Sequence, residues 1–137
     1  MTAPIFLDTS GLYAVFDADD STHPAVAEAW RTMVDSGAPL CTSSYVLVEL
    51  TALLQRRLGL AAVEALATFV MPWVNVSWVD DRTHDQALAA LLAAGKRDLS
   101  LVDCASFVLM RRLGVRTAFT VDKHFAGQGF MVVPKLS

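Results

Sequence analysis

The chain has 137 residues, enough to close one hydrophobic core without disulfides or a structural metal, so a single domain over 1–137 is the expectation. Hydrophobic residues make up 54% and the mean hydropathy is +0.44, more than a soluble core requires, which predicts an exposed apolar patch covered by a partner. A formal charge of −3 argues at first against a nucleic-acid partner, and with no run near the ~18 uncharged apolar residues of a membrane helix and no secretory leader pattern, a cytoplasmic protein is expected.

The first apolar run, Pro4 to Leu7, reads as a strand and ends on Asp8-Thr9-Ser10. Asp8 is open to two readings: a helix N-cap, or a ligand at the carboxyl end of a strand, where open α/β sheets bind. Helical spacing follows over Gly11 to Phe16 and over Pro24 to Val34, with Pro24 suited to a first turn. Between them, Asp17 to His23 reads as a solvated turn, because the glycine and terminal glutamate of a calcium loop are missing. A second strand, Leu40 to Thr42, leads into helical segments Ser44 to Leu58 and Leu60 to Val70, with Gly59 as a stop.

Glu49 lies in the first of these segments, and its helical neighbours Tyr45, Val46, Ala52 and Leu53 are all uncharged. Turning Glu49 to water would drag Val46 and Leu53 with it, losing burial worth ~1.5 to 3 kcal/mol each, so a withdrawn side chain is expected. After a third strand, Val74 to Val79, Thr83 and Gln86 form a capping box for a helix stopped by Gly95. Ser100 with Asp103 forms an aspartate variant of that box, opening a helix stopped by Gly114, so the cap alone accounts for Asp103 as well as a ligand role does. Strands Thr117 to Val121 and Met131 to Val133 close the chain. Asp122 either caps a turn around Lys123 to Phe125 or, if its strand neighbours the first, emerges beside Asp8.

Helical segments without hairpin turns between the strands select an α/β chain with a mostly parallel five-stranded sheet, and two helices per early crossover depart from a regular doubly wound repeat. Asp8, Glu49, Asp103 and Asp122 all interrupt apolar sequence with few basic residues beside them. An ionised carboxylate buried without a partner costs several kcal/mol, and clustered carboxylates persist chiefly when they share metal ions or a proton. Mg2+ or Mn2+ suits such an all-oxygen set, and a pair of such ions supports phosphodiester hydrolysis. Setting these four acids aside leaves 10 acidic against 11 basic residues, which removes the objection to a nucleic-acid partner.

Asp8-Thr-Ser, Glu49 in Val-Leu-Val-Glu-Leu, Asp98-Leu-Ser-Leu-Val-Asp103 and Thr120-Val-Asp122-Lys-His-Phe125 resemble, in order and spacing, the PIN-domain ribonucleases, most closely the VapC-like toxins of bacterial toxin-antitoxin pairs. The resemblance runs from end to end. It implies a three-layer α/β/α domain with a central parallel sheet, a metal-dependent endoribonuclease, a homodimer, and a cognate antitoxin that blocks the site. It places the acidic quartet, as catalytic metal ligands, on Asp8, Glu49, Asp103 and Asp122, with Ser10 and Ser100 lending supporting hydrogen bonds to the Mg2+ or Mn2+ site. Asp98 reads equally as an exposed loop acid beside Lys96 and Arg97.

Most basic residues read as solvated charges. Arg56, two helical turns from Glu49, and Lys123, beside Asp122, are the candidates for a phosphate contact. Trp30, Trp73 and Trp78 read as core or interface, His23, His84 and His124 as polar loop or cap residues with only His124 near the site, and Cys41 and Cys104 as reduced packing residues. Two other function classes bear on the same acids. A non-catalytic module would use them as a socket for a partner's basic side chain, and a phosphoryl-acceptor domain would use Asp8 but fits badly, since a dehalogenase-type phosphatase needs an aspartate where Ser10 stands.

Overall fold

The computed structural model describes residues 2–136. Five short strands, β1 (Ile5–Leu7), β2 (Leu40–Ser43), β3 (Val74–Ser77), β4 (Thr117–Phe119) and β5 (Met131–Val133), form an all-parallel sheet in the order β3-β2-β1-β4-β5. The helices are α1 (Thr9–Phe16), α2 (His23–Ser36), α3 (Ser44–Arg57), α4 (Leu60–Ala65), α5 (Asp81–Ala94), α6 (Leu101–Leu113) and α7 (Lys123–Gly127). The chain steps one way from β1 through β2 to β3, then crosses back to β4 and β5. Right-handed crossovers therefore put the early helices on one face of the sheet and the later ones on the other, the expected α/β/α layering.

Coverage on both faces explains why successive residues of β1 and β4 are both apolar and fully buried: Phe6 and Leu7, Ala118 and Phe119. Against the sheet, α3 contributes Val46, Leu50 and Leu54, and α6 contributes Cys104, Ala105, Phe107 and Met110. Their spacing of three to four residues is the stripe that an amphipathic helix presents to a core. Among the described residues, no helix is long and apolar enough to cross a membrane.

Local chemistry sets the element ends. Gly95 and Gly114 adopt left-handed conformations after α5 and α6, as expected of helix stops, and Gly37 does the same for α2, which runs past Val34 to Ser36. The expected Thr83–Gln86 box does not start α5. Asp80 is the cap, its Oδ1 accepting from the Thr83 amide at 2.8 Å, because a stronger capping residue arrives three positions earlier. The Thr83 hydroxyl is instead buried under Arg112, which donates to it at 2.8 Å. The segment expected as one helix to Val70 begins as α4, widens into a π-helical turn over Leu66–Val70 and tightens at Met71–Trp73. Pro72, with no N–H to continue the ladder, lies at that exit.

Trp30 packs on Phe119 with ring centroids 5.8 Å apart, but Trp73 and Trp78 are 78% and 76% exposed and belong to no core. Cys104 is buried and Cys41 half-buried, both as free thiols, and burial pushes the Cys41 thiol up to about 11, which makes it inert.

Candidate active site

The sheet reverses its direction of growth between β1 and β4, and the crevice beyond the carboxyl ends of strands at such a point is where an α/β sheet binds ligands. Parallel register pairs Leu7 with Phe119, so the next residues, Asp8 and Thr120, leave the sheet side by side. The Asp8 amide still donates to the Phe119 carbonyl at 3.0 Å, and α1 starts at once. That start depends on Gly11: a Cβ there would stand 2.6 Å from the Phe119 carbonyl oxygen. Only glycine lets α1 lie this close to the end of β4.

Asp8 is 3% exposed. Its Oδ2 accepts from the Ser10 hydroxyl and from the Thr120 hydroxyl, each at 2.8 Å. Those two hydroxyls in turn accept backbone N–H groups, Ser10 from Val121 at 3.0 Å and Thr120 from Asp122 at 2.9 Å. With both hydroxyl hydrogens directed at Asp8, the 3.1 Å approach of Ser10 Oγ to Thr120 Oγ1 is a contact enforced by their shared acceptor. The turn after β4 is thus locked to the turn after β1.

Asp103 arrives on the first turn of α6. Its Oδ2 accepts from the Ser100 amide at 3.0 Å, while Ser100 Oγ accepts from the Asp103 amide at 3.0 Å, the reciprocal box expected from the sequence. Asp122 caps α7, and its Oδ1 accepts both from the His124 amide at 2.9 Å and from His124 Nδ1 at 2.7 Å. In all three acids one oxygen is engaged by the protein, and among the described residues the other, Oδ1 of Asp8 and Asp103 and Oδ2 of Asp122, accepts no hydrogen bond. Ligand atoms of Asp103, Asp122 and His124 all lie within 4.8 Å of one another.

The electrostatics follow from the packing. Burial pushes the Asp8 carboxyl up to about 6, against the Ser10 and Thr120 hydroxyls, which favour the ionised form, and with the charges of Asp103 and Asp122 adding to the rise. Burial also raises Asp103, opposed by its Ser100 hydrogen bonds and reinforced by Asp122. Among the described residues, no Lys or Arg forms an ion pair with any of the three. Asp103 and Asp122 lie within metal-binding distance of one another beside His124, Asp8 is close enough for its carboxyl to feel both charges, and these free oxygens without a Lys or Arg partner fit a hard divalent ion bound through oxygen.

Glu49 departs from expectation. Its side chain is exposed on α3, in a hollow of about 350 Å³ lined by Thr9, Ala52, Leu53 and Arg56. The helix rolls so that Val46, Leu50 and Leu54 take the fully buried face, leaving Leu53 half-buried beside it, so exposing Glu49 does not expose Val46. Thr9, whose buried hydroxyl has no hydrogen-bond partner, links this hollow to Asp8. Thr120, to which sequence reasoning gave no role, is central to the site, and His124, expected only as a polar residue near it, is part of it. Thr120 was readable as a hydroxyl two positions before Asp122, mirroring Ser10 two positions after Asp8, and His124 as the ring two positions beyond the cap.

The PIN domain family matches residues 5–130. This chain belongs to the PIN domain family. The 23S rRNA-specific endonuclease VapC20 of Mycobacterium tuberculosis is 35% identical over 130 residues, covering 94% of this chain and 97% of the relative. Ribonuclease VapC26 of the same organism is 32% identical over 141 residues, covering 95% and 100%. The crystal structure of VapC20, described as a sarcin-ricin loop cleaving toxin, superposes on this PIN domain with a TM-score of 0.80 at 36% identity, over 93% of this chain and 96% of that one. FitAcB from Neisseria gonorrhoeae, at 17% identity, a TM-score of 0.66 and coverage of 93% and 95%, shares the fold.

Proposed function

We propose that this PIN domain is a Mg2+- or Mn2+-dependent endoribonuclease, the toxin of a toxin-antitoxin pair, with Asp8, Asp103 and Asp122 as the inner metal ligands and Glu49 completing the site from the rim. The observation that carries the reading is the three acids at the sheet's switch point, Asp8 and Asp103 buried and Asp122 half-buried, each with one oxygen held by the protein and one left free. The family membership and the ribonuclease names of the relatives support RNA as substrate. Divalent ions at such a site would supply water activation and neutralisation of the leaving oxygen. The chain's own part is orientation: Ser10 and Thr120 fix the Asp8 carboxylate, Ser100 fixes Asp103, and His124 fixes Asp122, each acting through the hydrogen bonds above.

The remaining reading is of one domain across 1–137 working in the cytoplasm as a homodimer with a cognate antitoxin. One continuous sheet and one core support the first part. Exposed Val48, Leu60, Phe69, Trp73, Trp78 and Leu92 support the second, since a monomer seldom leaves so many large apolar side chains in water. The test is cleavage of ribosomal and single-stranded RNA by protein purified free of any partner peptide. Cutting with added Mn2+, abolished by chelator and by Asp8→Asn or Asp103→Asn variants whose circular dichroism is unchanged, is the expected result. Equal cleavage in excess chelator would overturn metal dependence, and no cleavage of any RNA would overturn the nuclease reading.

A further inference from the structure

We propose that the hollow on the far side of His124 from the acidic mouth is a phosphate seat for the RNA strand, with Lys96 and Lys123 as the residues that hold it. The inference rests on the ribonuclease reading and adds to it a second binding site for the strand.

The hollow, about 450 Å³, is lined by Lys96, Asp98, Lys123, His124, Gly127 and Gln128. The His124 ring is the wall it shares with the mouth: Nδ1 lies 2.7 Å from Asp122 and Nε2 lies 3.4 Å from Asp98. A ligand in the hollow is therefore one side chain away from the acids. With two lysines against one aspartate, the hollow carries net positive charge next to a mouth that is negative. Lys123 Nζ is 3.8 Å from Asp98 Oδ2, with the two side chains 83% and 60% exposed, so solvent screens the pair and Lys123 is free to turn to another anion. Gln128 adds a donor. Arg111 donates to its Oε1 at 2.8 Å, which leaves the NH2 end of the amide to face a ligand. Lys96, Lys123 and Gln128 thus offer the hollow positive charge or N–H groups against the single carboxylate of Asp98.

The hollow at Glu49 is a contrast. There Arg56 faces Glu49, the two charges cancel, and the walls are completed by Ala52 and Leu53. Of these two hollows, the one beside α7 is the one that offers an RNA strand net positive charge. Phosphate contacts of this kind set register and affinity without reading sequence, and lysine serves them as a compact point charge.

The test measures cleavage of a fluorescent single-stranded RNA in Mn2+ over a range of KCl concentrations. Changing Lys96 and Lys123 together to Gln is expected to raise KM several-fold with kcat unchanged, the signature of lost uniform binding. Two lost contacts also reduce the slope of log affinity against log salt by about 1.4, at roughly 0.7 per phosphate on a single strand. Lys135→Gln, which removes one lysine charge beyond β5, is expected to leave both unchanged. A double variant with wild-type KM and salt slope, or a Lys135 variant with the same loss, overturns the seat. Failure of the wild-type protein to cut any RNA would instead overturn the nuclease reading, and the seat is then decided by fluorescence anisotropy with the same RNA, where equal salt slopes for wild type and double variant count against it.

Discussion

The mouth between β1 and β4 and the rim on α3 carry the same functional group in opposite surroundings. Asp8 is 3% exposed, takes two hydroxyl hydrogen bonds and has its carboxyl pushed up to about 6. Glu49 is exposed in a hollow that also holds Arg56. Both interrupt apolar runs. The difference teaches that the fold fixes the Asp8 carboxylate through its hydrogen bonds, whereas Glu49 on the rim stands in solvent beside a cation.

The sharpest way to break this comparison is to remove charge from each side. Asp8→Asn or Asp103→Asn is expected to take RNA cleavage below detection, while Glu49→Gln lowers Mn2+ affinity only about tenfold, as a supporting group would. Isothermal titration with Mn2+ beside a cleavage assay reads both, and an equal loss of affinity at Glu49 would erase the distinction between mouth and rim.

Next in size is the backbone that forms the mouth. Gly11→Ala puts a Cβ where only 2.6 Å separates it from the Phe119 carbonyl, so α1 must retreat from β4. Overpacking of that kind costs about 1–3 kcal/mol, read as a lower denaturation midpoint, and it should reduce cleavage as Asp8 loses its alignment with Thr120. Thr120→Val keeps the volume but removes the hydroxyl that joins Asp8 to the Asp122 amide. Metal affinity is expected to fall by about 10- to 100-fold with the fold intact.

The pH dependence separates the two regions further. In the metal-free protein the folded Asp8 carboxyl titrates near 6, above its unfolded value of 3.8. The neutral form therefore favours folding below pH 3.8, and that contribution, about 3 kcal/mol, is lost as pH rises through 6. Chelated wild-type protein should lose stability over that interval and Asp8→Asn should not, as thermal melts would show. Because binding requires the ionised acid, Mn2+ affinity should weaken as pH falls through about 6. The smallest effect expected is on stability at the rim: Glu49→Gln should shift unfolding by no more than about 0.5 kcal/mol, the range of an exposed substitution.

The five strands were legible because each contains a short stretch rich in apolar or β-branched residues, too brief for a helix and bounded by segments of helical spacing. The Ser100–Asp103 box was legible for a related reason: capping is a contact between residues three apart, wholly within the local sequence. Thr83 was misjudged as a cap because local rules see two candidates, and which one starts α5 depends on where the chain leaves β3. Glu49 was misjudged because uncharged neighbours at three and four positions do not fix the roll of a helix. The roll of α3 is set by Val46, Leu50 and Leu54 against the rest of the core.

The sequence by itself determined that acids stand at strand ends and helix starts in an α/β chain, since periodicity and capping are local properties of the backbone. Only the tertiary structure decided which of them meet: the register of β1 on β4 sets Asp8 beside Thr120, and α6 and α7 then bring Asp103, Asp122 and His124 to the same crevice. Sheet order and helix roll are settled by burial summed over the whole core, and no window of sequence contains that sum.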